Sequence, residues 1–181
     1  MMRAASDELA ADRPEEFKAF VLAVCAGLRR NEIDKLEWNK FNFSTSAINV
    51  TATEFFRTKS EDSARSVWIP SEMLEIFRGY RARATGRFVL ESSVKANTSK
   101  SYEHYRCAAT FDRLIDWLRT HGIEDEKPLH TLRKEFGSLI AQRYGIYAAK
   151  EMLGHSDITT TAAHYIEAKE KPVITLGHLL K

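Results

Sequence analysis

Cysteine and proline are scarce in this chain of 181 residues, which holds two of the first and four of the second. Cys25 and Cys107 stand far apart, outside any Cys-x-x-Cys spacing, which excludes a disulfide-stapled scaffold and a thiolate metal site. They read as reduced thiols of a cytosolic protein, Cys25 as a small core residue. The histidines show no metal-ligand spacing either. No apolar run is long enough to cross a bilayer, so no membrane partner is expected. Met1-Met2-Arg3-Ala4-Ala5 turns polar too soon for a secretion leader, and the expected location is cytoplasmic. There is no internal repeat and no low-complexity linker. Charge of one sign is lacking too: 27 basic residues face 25 acidic ones, a net +2 that by itself says little about a nucleic-acid partner.

What is present is the composition of a globular domain, 44% hydrophobic and 29% charged. The length suits one well-buried domain spanning residues 1–181. Basic residues do gather locally. Arg78, Arg81, Arg83 and Arg87 form one group, and Arg57, Lys59 and Arg65 another. Each group reads either as a patch facing nucleic acid or as a solvated helix face and an ordinary hairpin.

The apolar spacing predicts a mainly α protein with one small antiparallel β-sheet, an α+β fold. A first helix is predicted from Asp12-Arg13-Pro14-Glu15, with Asp12 as cap and Glu15 completing a capping box. Phe17, Phe20, Val21, Val24 and Leu28 recur along it until Gly27 interrupts. A short helix with Glu32, Ile33 and Leu36 follows. Phe41-Asn42-Phe43, Ala47 to Thr53 and Ser66 to Ile69 read as strands, with Arg57 to Ala64 as an exposed turn. Past Pro70-Ser71 a helix turns Met73, Leu74, Phe77 and Tyr80 inward. Ser92 to Ser101 reads as a loop. A long helix then aligns Tyr105, Ala108, Phe111, Ile115 and Leu118 up to His121-Gly122. Pro128-Leu129 opens a helix carrying Arg133, Phe136, Leu139, Ile140 and Tyr144 to Gly145. Another runs to Leu153-Gly154, one more from Thr159 to about Ala168, and Val173 to Leu180 suits a last apolar helix.

A scattered polar set stands out against this frame: Arg29, His130, Arg133, His155 and Tyr165. Breaking a phosphodiester without a metal needs a nucleophile, a cradle for negative charge, and a proton donor for the leaving 5′ oxygen. Tyrosine serves as a reversible nucleophile because its phenolate is also a workable leaving group. Arginine serves as the cradle because its planar fork makes two charge-assisted bonds to phosphate oxygens. His130 and Arg133, three apart at a helix start, share one face near the positive end of the helix. Each residue alone has an ordinary reading. His130 with Arg133 is a capping histidine beside a surface arginine, His155 a helix-end contact, Tyr165 filler, Arg29 a charged helix end.

Together, the segments resemble the catalytic domain of the tyrosine recombinases, the phage-integrase family, from Pro14 to Lys169. Gly27-Leu28-Arg29-Arg30-Asn31-Glu32 resembles the family's first arginine box. Thr58-Lys59 with Arg65-Ser66-Val67-Trp68-Ile69-Pro70 resembles its β-hairpin lysine segment. His130-Thr131-Leu132-Arg133 resembles the His-x-x-Arg box, Leu153-Gly154-His155-Ser156 the Leu-Gly-His box, and Tyr165 falls where the nucleophile should. The resemblance implies that Arg29 and Arg133 grip the scissile phosphate and His155 donates a further hydrogen bond. It implies proton transfer at Tyr165 by His130 and protonation of the leaving oxygen by Lys59. Glu32 would orient the arginines; otherwise it is an exposed helix glutamate.

The activity so implied is site-specific recombination through a 3′-phosphotyrosine, on double-stranded DNA, in a tetrameric synapse of a chain that is a monomer when free. It requires no cofactor, no metal and no small-molecule substrate. Family members that recombine DNA normally carry an N-terminal core-binding domain, and fewer than thirty residues precede Arg29 here. The chain is therefore expected to be a fragment of a longer integrase or a minimal member. Two alternatives stand beside recombination. One is a DNA-binding remnant without turnover. The other is a type IB topoisomerase-like enzyme, against which His130 counts, because those enzymes generally have lysine there.

Overall fold

The computed structural model describes residues 1–57, 64–98 and 104–155. Seven α-helices and one three-stranded sheet make up the described part, so the mainly helical α+β expectation holds.

The first helix, α1 (Met2–Leu9), was not expected. Its apolar content is slight, and it is held by docking. Ala5 and Leu9 are fully buried, and Glu8 accepts hydrogen bonds from Trp117 Nε1 at 2.7 Å. Helix α2 (Pro14–Ala26) starts one residue later than the expected cap allows. A residue before proline avoids the helical region, and Arg13 accordingly takes φ −134°, ψ 57°. The cap position is therefore Arg13, with no side-chain cap, and neither Asp12 nor Glu15 forms the capping box. Glu15 instead pairs with Lys18 at 2.8 Å and accepts from the Glu91 amide at 2.7 Å. Helix α2 is buried nearly all round and lies centrally, against α1, α5 and α6.

Gly27 ends α2 in the left-handed conformation, φ 59°. A Cβ there would run into the ring of Phe136. Glycine is thus demanded twice, by the backbone turn and by the close approach of α6. The turn sends the chain into α3 (Arg30–Asp34), shorter than expected, with Leu36 beyond it.

The sheet consists of β1 (Phe41–Asn42), β2 (Ala47–Val50) and β3 (Arg65–Trp68), antiparallel in the order β1-β2-β3. Strands β1 and β2 are shorter than predicted, and β3 keeps its length but is shifted one residue earlier. Ile48 pairs with Val67 and Val50 with Arg65. This register turns Ile48, Val50, Val67 and also Arg65 inward. Helix α4 (Ser71–Arg83) closes one side through Met73, Leu74 and Phe77, the last stacked on Phe41 at 5.0 Å between ring centroids.

Helix α5 (Ala108–Thr120) starts after Cys107. The carboxylate of Asp34, fully buried, accepts from the amides of Arg106 at 3.1 Å and Cys107 at 2.8 Å. Its inward stripe is Phe111, Leu114, Trp117 and Leu118; Ala108, expected inward, is exposed. Helix α6 (Pro128–Tyr144) buries Leu129, Leu132, Arg133 and Phe136. Farther along the same helix Leu139 and Tyr144 are 61% and 64% exposed. Helix α7 (Ile146–Leu153) ends at Gly154, again left-handed at φ 61°. The helix expected from Thr159 and the apolar tail lie outside the described residues.

Candidate active site

The two left-handed glycines place the site. Gly27 delivers Arg29 at the end of α2, and Gly154 turns the chain off α7 just before His155. Between them lies Arg133, on the second turn of α6 and 3% exposed. Its Nη1 donates to the carbonyl of Gly27 and its Nη2 to the carbonyl of Leu153. One guanidinium thus ties together three segments far apart in sequence.

Arg29 is about one-third exposed. Its Nη1 donates to Glu32 Oε1 at 2.8 Å and its Nη2 to the Gly154 carbonyl at 3.3 Å. The Arg29 amide also donates to Glu32 Oε2 at 2.8 Å, which fixes the first turn of α3. Glu32 is buried, so it is not an exposed helix glutamate. Its other partner is Arg65, whose Nη1 and Nη2 donate to Oε1 and Oε2 at 3.0 and 2.9 Å. Burial alone would push the Glu32 carboxyl up. The charge and hydrogen bonds of Arg65, then the charges of Arg29 and Arg133, outweigh it and hold the group at about 2.

His130 lies in the first turn of α6, exposed, its amide bonded to the Lys127 carbonyl at 2.9 Å. With Arg29, Arg133 and Tyr105 it lines a cavity of about 690 Å3. His155 sits on the other side of Gly154, in a groove with Arg65, Trp68, Tyr147 and Lys150. The structure therefore brings Arg29, Glu32 and Arg133 together directly. It sets His130 in the same cavity as the two arginines, and His155 next to the glycine whose carbonyl Arg29 holds. Lys59 and Tyr165 lie outside the described residues.

Three guanidiniums, Arg29, Arg65 and Arg133, surround the single carboxylate of Glu32. Such a cluster holds surplus positive charge in a partly desolvated place, beside the positive end of a helix of 17 residues. It is suited to an anion with several oxygens, and planar guanidinium forks favour phosphate. Among the described residues, no group of His, Cys, Asp and Glu is arranged to hold a metal ion.

A sequence model of the phage integrase family matches residues 2–171. The chain belongs to that family. It is 24% identical over 161 residues to tyrosine recombinase XerD of Lacticaseibacillus casei, a match covering 88% of this chain and 52% of XerD. The chain thus spans about half the length of that curated relative. Its fold is similar to the Tn1549 transposon integrase solved with transposon right end DNA, at TM-score 0.67 and 20% identity over 92% of this chain and 59% of that one. It is similar as well to the catalytic domain of bacteriophage HP1 integrase, at TM-score 0.60 and 21% identity over 90% and 82%. The fold is that of the family's catalytic domains.

In this integrase-family chain, one site residue escaped the sequence reading. Arg65 was grouped with surface basic residues of a hairpin, yet its side chain is 3% exposed. The signal was present: Arg65, Val67 and Ile69 alternate along one strand face, and the other two are core residues. The second basic group is turned to internal use. Arg78, Arg81 and Arg83 lie over the rings of Phe43, Trp38 and Tyr80. Arg87 pairs with Glu37 at 2.8 Å and with Glu54.

Proposed function

We propose that this chain is the catalytic part of a site-specific DNA recombinase that cuts and rejoins strands through a 3′-phosphotyrosine. The observation that carries the reading is the joining of three distant segments by Arg133, which gathers Arg29, Arg133 and the Gly154-His155 turn around one positive site.

In the proposed reaction Arg29 and Arg133 hold the non-bridging oxygens of the scissile phosphate and His155 adds a hydrogen bond. Charge stabilisation of this kind contributes on the order of 3 kcal/mol per well-placed donor. Tyr165 Oη attacks phosphorus as His130 takes its proton, and the bond from phosphorus to the 5′ oxygen breaks. Lys59 gives that oxygen its proton. A 5′ hydroxyl of another strand reverses the step, expelling the tyrosine. The bond energy is kept in the phosphotyrosine, so neither nucleotide nor metal is required. Glu32 orients the arginines. The partners are double-stranded DNA and further copies of the chain, a monomer off DNA and a tetramer in the synapse. No helix among the described residues is long and apolar enough to cross a membrane, and we assign the activity to the cytoplasm. Residues 1–181 form one catalytic domain, and a core-binding module belonging to a longer protein would clamp the other face of the duplex.

Nicked suicide duplexes test this, drawn from the junctions of the encoding element and from a pool randomised around the nick. The chain should form a covalent adduct that survives denaturation and disappears in Tyr165→Phe. An adduct that persists in that variant removes Tyr165 as nucleophile. Absence of any adduct, with salt-sensitive duplex binding retained, replaces the reading with a DNA-binding remnant.

A further inference from the structure

We propose that Arg65 is a positioning residue for strand exchange, fixing the Glu32 carboxylate that in turn holds Arg29, and pinning strand β3 to the end of helix α7. The inference rests on the strand-exchange reading and adds a residue to it.

The geometry is specific to arginine. The Arg65 fork spans both oxygens of Glu32, at 3.0 and 2.9 Å, which sets the plane of the carboxylate. Its Nε donates in a third direction, to the Met152 carbonyl at 2.8 Å. One rigid group therefore joins α3, β3 and the last turn of α7. Oε1 of Glu32, held by Arg65, is the same atom that receives Nη1 of Arg29 at 2.8 Å. Rotation of that carboxylate would carry the Arg29 guanidinium with it.

Gly154 completes the arrangement from the other side. A Cβ on Gly154 would lie 2.9 Å from Arg65 Cδ and 3.1 Å from its Nη1. The bare glycine thus admits the Arg65 side chain, while its carbonyl receives Arg29 Nη2 at 3.3 Å. Two arginines meet the same residue from different directions.

Arg65 is not placed to meet a phosphate itself. Three of its N–H donors face Glu32 and Met152, and its side chain is 3% exposed, against 34% for Arg29. Its effect on the reaction passes through Glu32. Lysine in its place would keep the charge but present a single point donor, unable to span two carboxylate oxygens and a carbonyl.

The experiment compares the full chain with Arg65→Lys and Arg65→Met on the nicked duplex that the parent cleaves best from the randomised pool. Single-turnover adduct formation is measured against duplex concentration and pH, and carbon-13 NMR follows the Glu32 carboxyl as pH is lowered. Arg65→Lys should keep a native thermal transition and the parent's half-saturating duplex concentration. Its maximal cleavage rate should fall about ten- to a hundredfold, the range that small misplacements cost. The Glu32 titration should move to higher pH, reporting the loosened carboxylate. A merely structural role would lower the folded fraction and move the Glu32 titration, yet leave the maximal rate of the folded protein at the parent's value. If Arg65→Met does not fold, the rate and half-saturation of Arg65→Lys still decide. A parent that cleaves while folded Arg65→Lys cleaves equally fast overturns the role of Arg65 alone, whether or not the Glu32 titration moves. A parent that forms no adduct overturns this inference together with the reading beneath it.

Discussion

Replacing Glu32 with glutamine should cost stability in a way that fades with acid. The carboxyl is held at about 2 against its ordinary 4.5. At about 1.4 kcal/mol per pH unit, that depression contributes about 3 kcal/mol to folding. The sign follows from which state takes up protons first. Above about pH 5 the carboxyl is ionised in the folded and unfolded chain alike, and its full contribution is present. As pH falls below 4.5 the unfolded chain gains a proton that the folded chain refuses, and the contribution shrinks until pH reaches about 2. At neutral pH, Glu32→Gln should therefore destabilise the chain by about 3 to 5 kcal/mol, because Arg65 is left buried without its counter-charge. By pH 3 the gap between parent and variant should have narrowed by about 2 kcal/mol. Equilibrium urea unfolding of both proteins at intervals from pH 7 to pH 3 gives the two curves. A gap that stays constant over that range would refute the argument, since it would mean that Glu32 is stabilising as a packed polar side chain and not as a charge.

Two further outcomes follow from the packing of named residues and a third from the proposed chemistry. Gly27→Ala forces a side chain into a left-handed turn and against the Phe136 ring, and should lower stability by about 2 to 4 kcal/mol in urea unfolding; Gly27→Ala with Phe136→Leu should regain part of that loss, and an unchanged midpoint in the single variant would contradict the packing. The Cys107 thiol, pushed up to about 12 mainly by burial, should not react with an aromatic disulfide reagent at pH 8 in the native chain, and should react fully in urea. Lys59→Ala should slow cleavage of an ordinary duplex and recover on a 5′-phosphorothiolate, whose leaving group needs no proton; failure of that rescue would assign the acid role to another residue.

Local rules carried the sequence reading as far as local forces decide the structure. Gly27, Gly145 and Gly154 were legible as helix ends because the positive φ needed there favours glycine whatever else packs nearby. The inward face of α4 was legible because Met73, Leu74 and Phe77 repeat at helical spacing. Helix α1 was not legible, since its two buried residues are an alanine and a leucine and its anchor is the distant pairing of Glu8 with Trp117.

The site divides along the same line. Arg29, His130, Arg133 and His155 were singled out because they sit in short segments whose residue order resembles a family. Arg65 was missed because strand alternation and charge gave opposite instructions: alternation with Val67 turned it inward, while an unpaired arginine is too costly to bury. The conflict is resolved by Glu32, thirty-three positions away in sequence and held in reach by the Gly27 turn and the β3 register. A buried charge is legible only as a pair, and the pair exists only in the fold. For this site the consequence is concrete: the residues proposed to touch DNA were visible as an ordered set of segments, whereas the residue proposed to aim them became visible only with its partner.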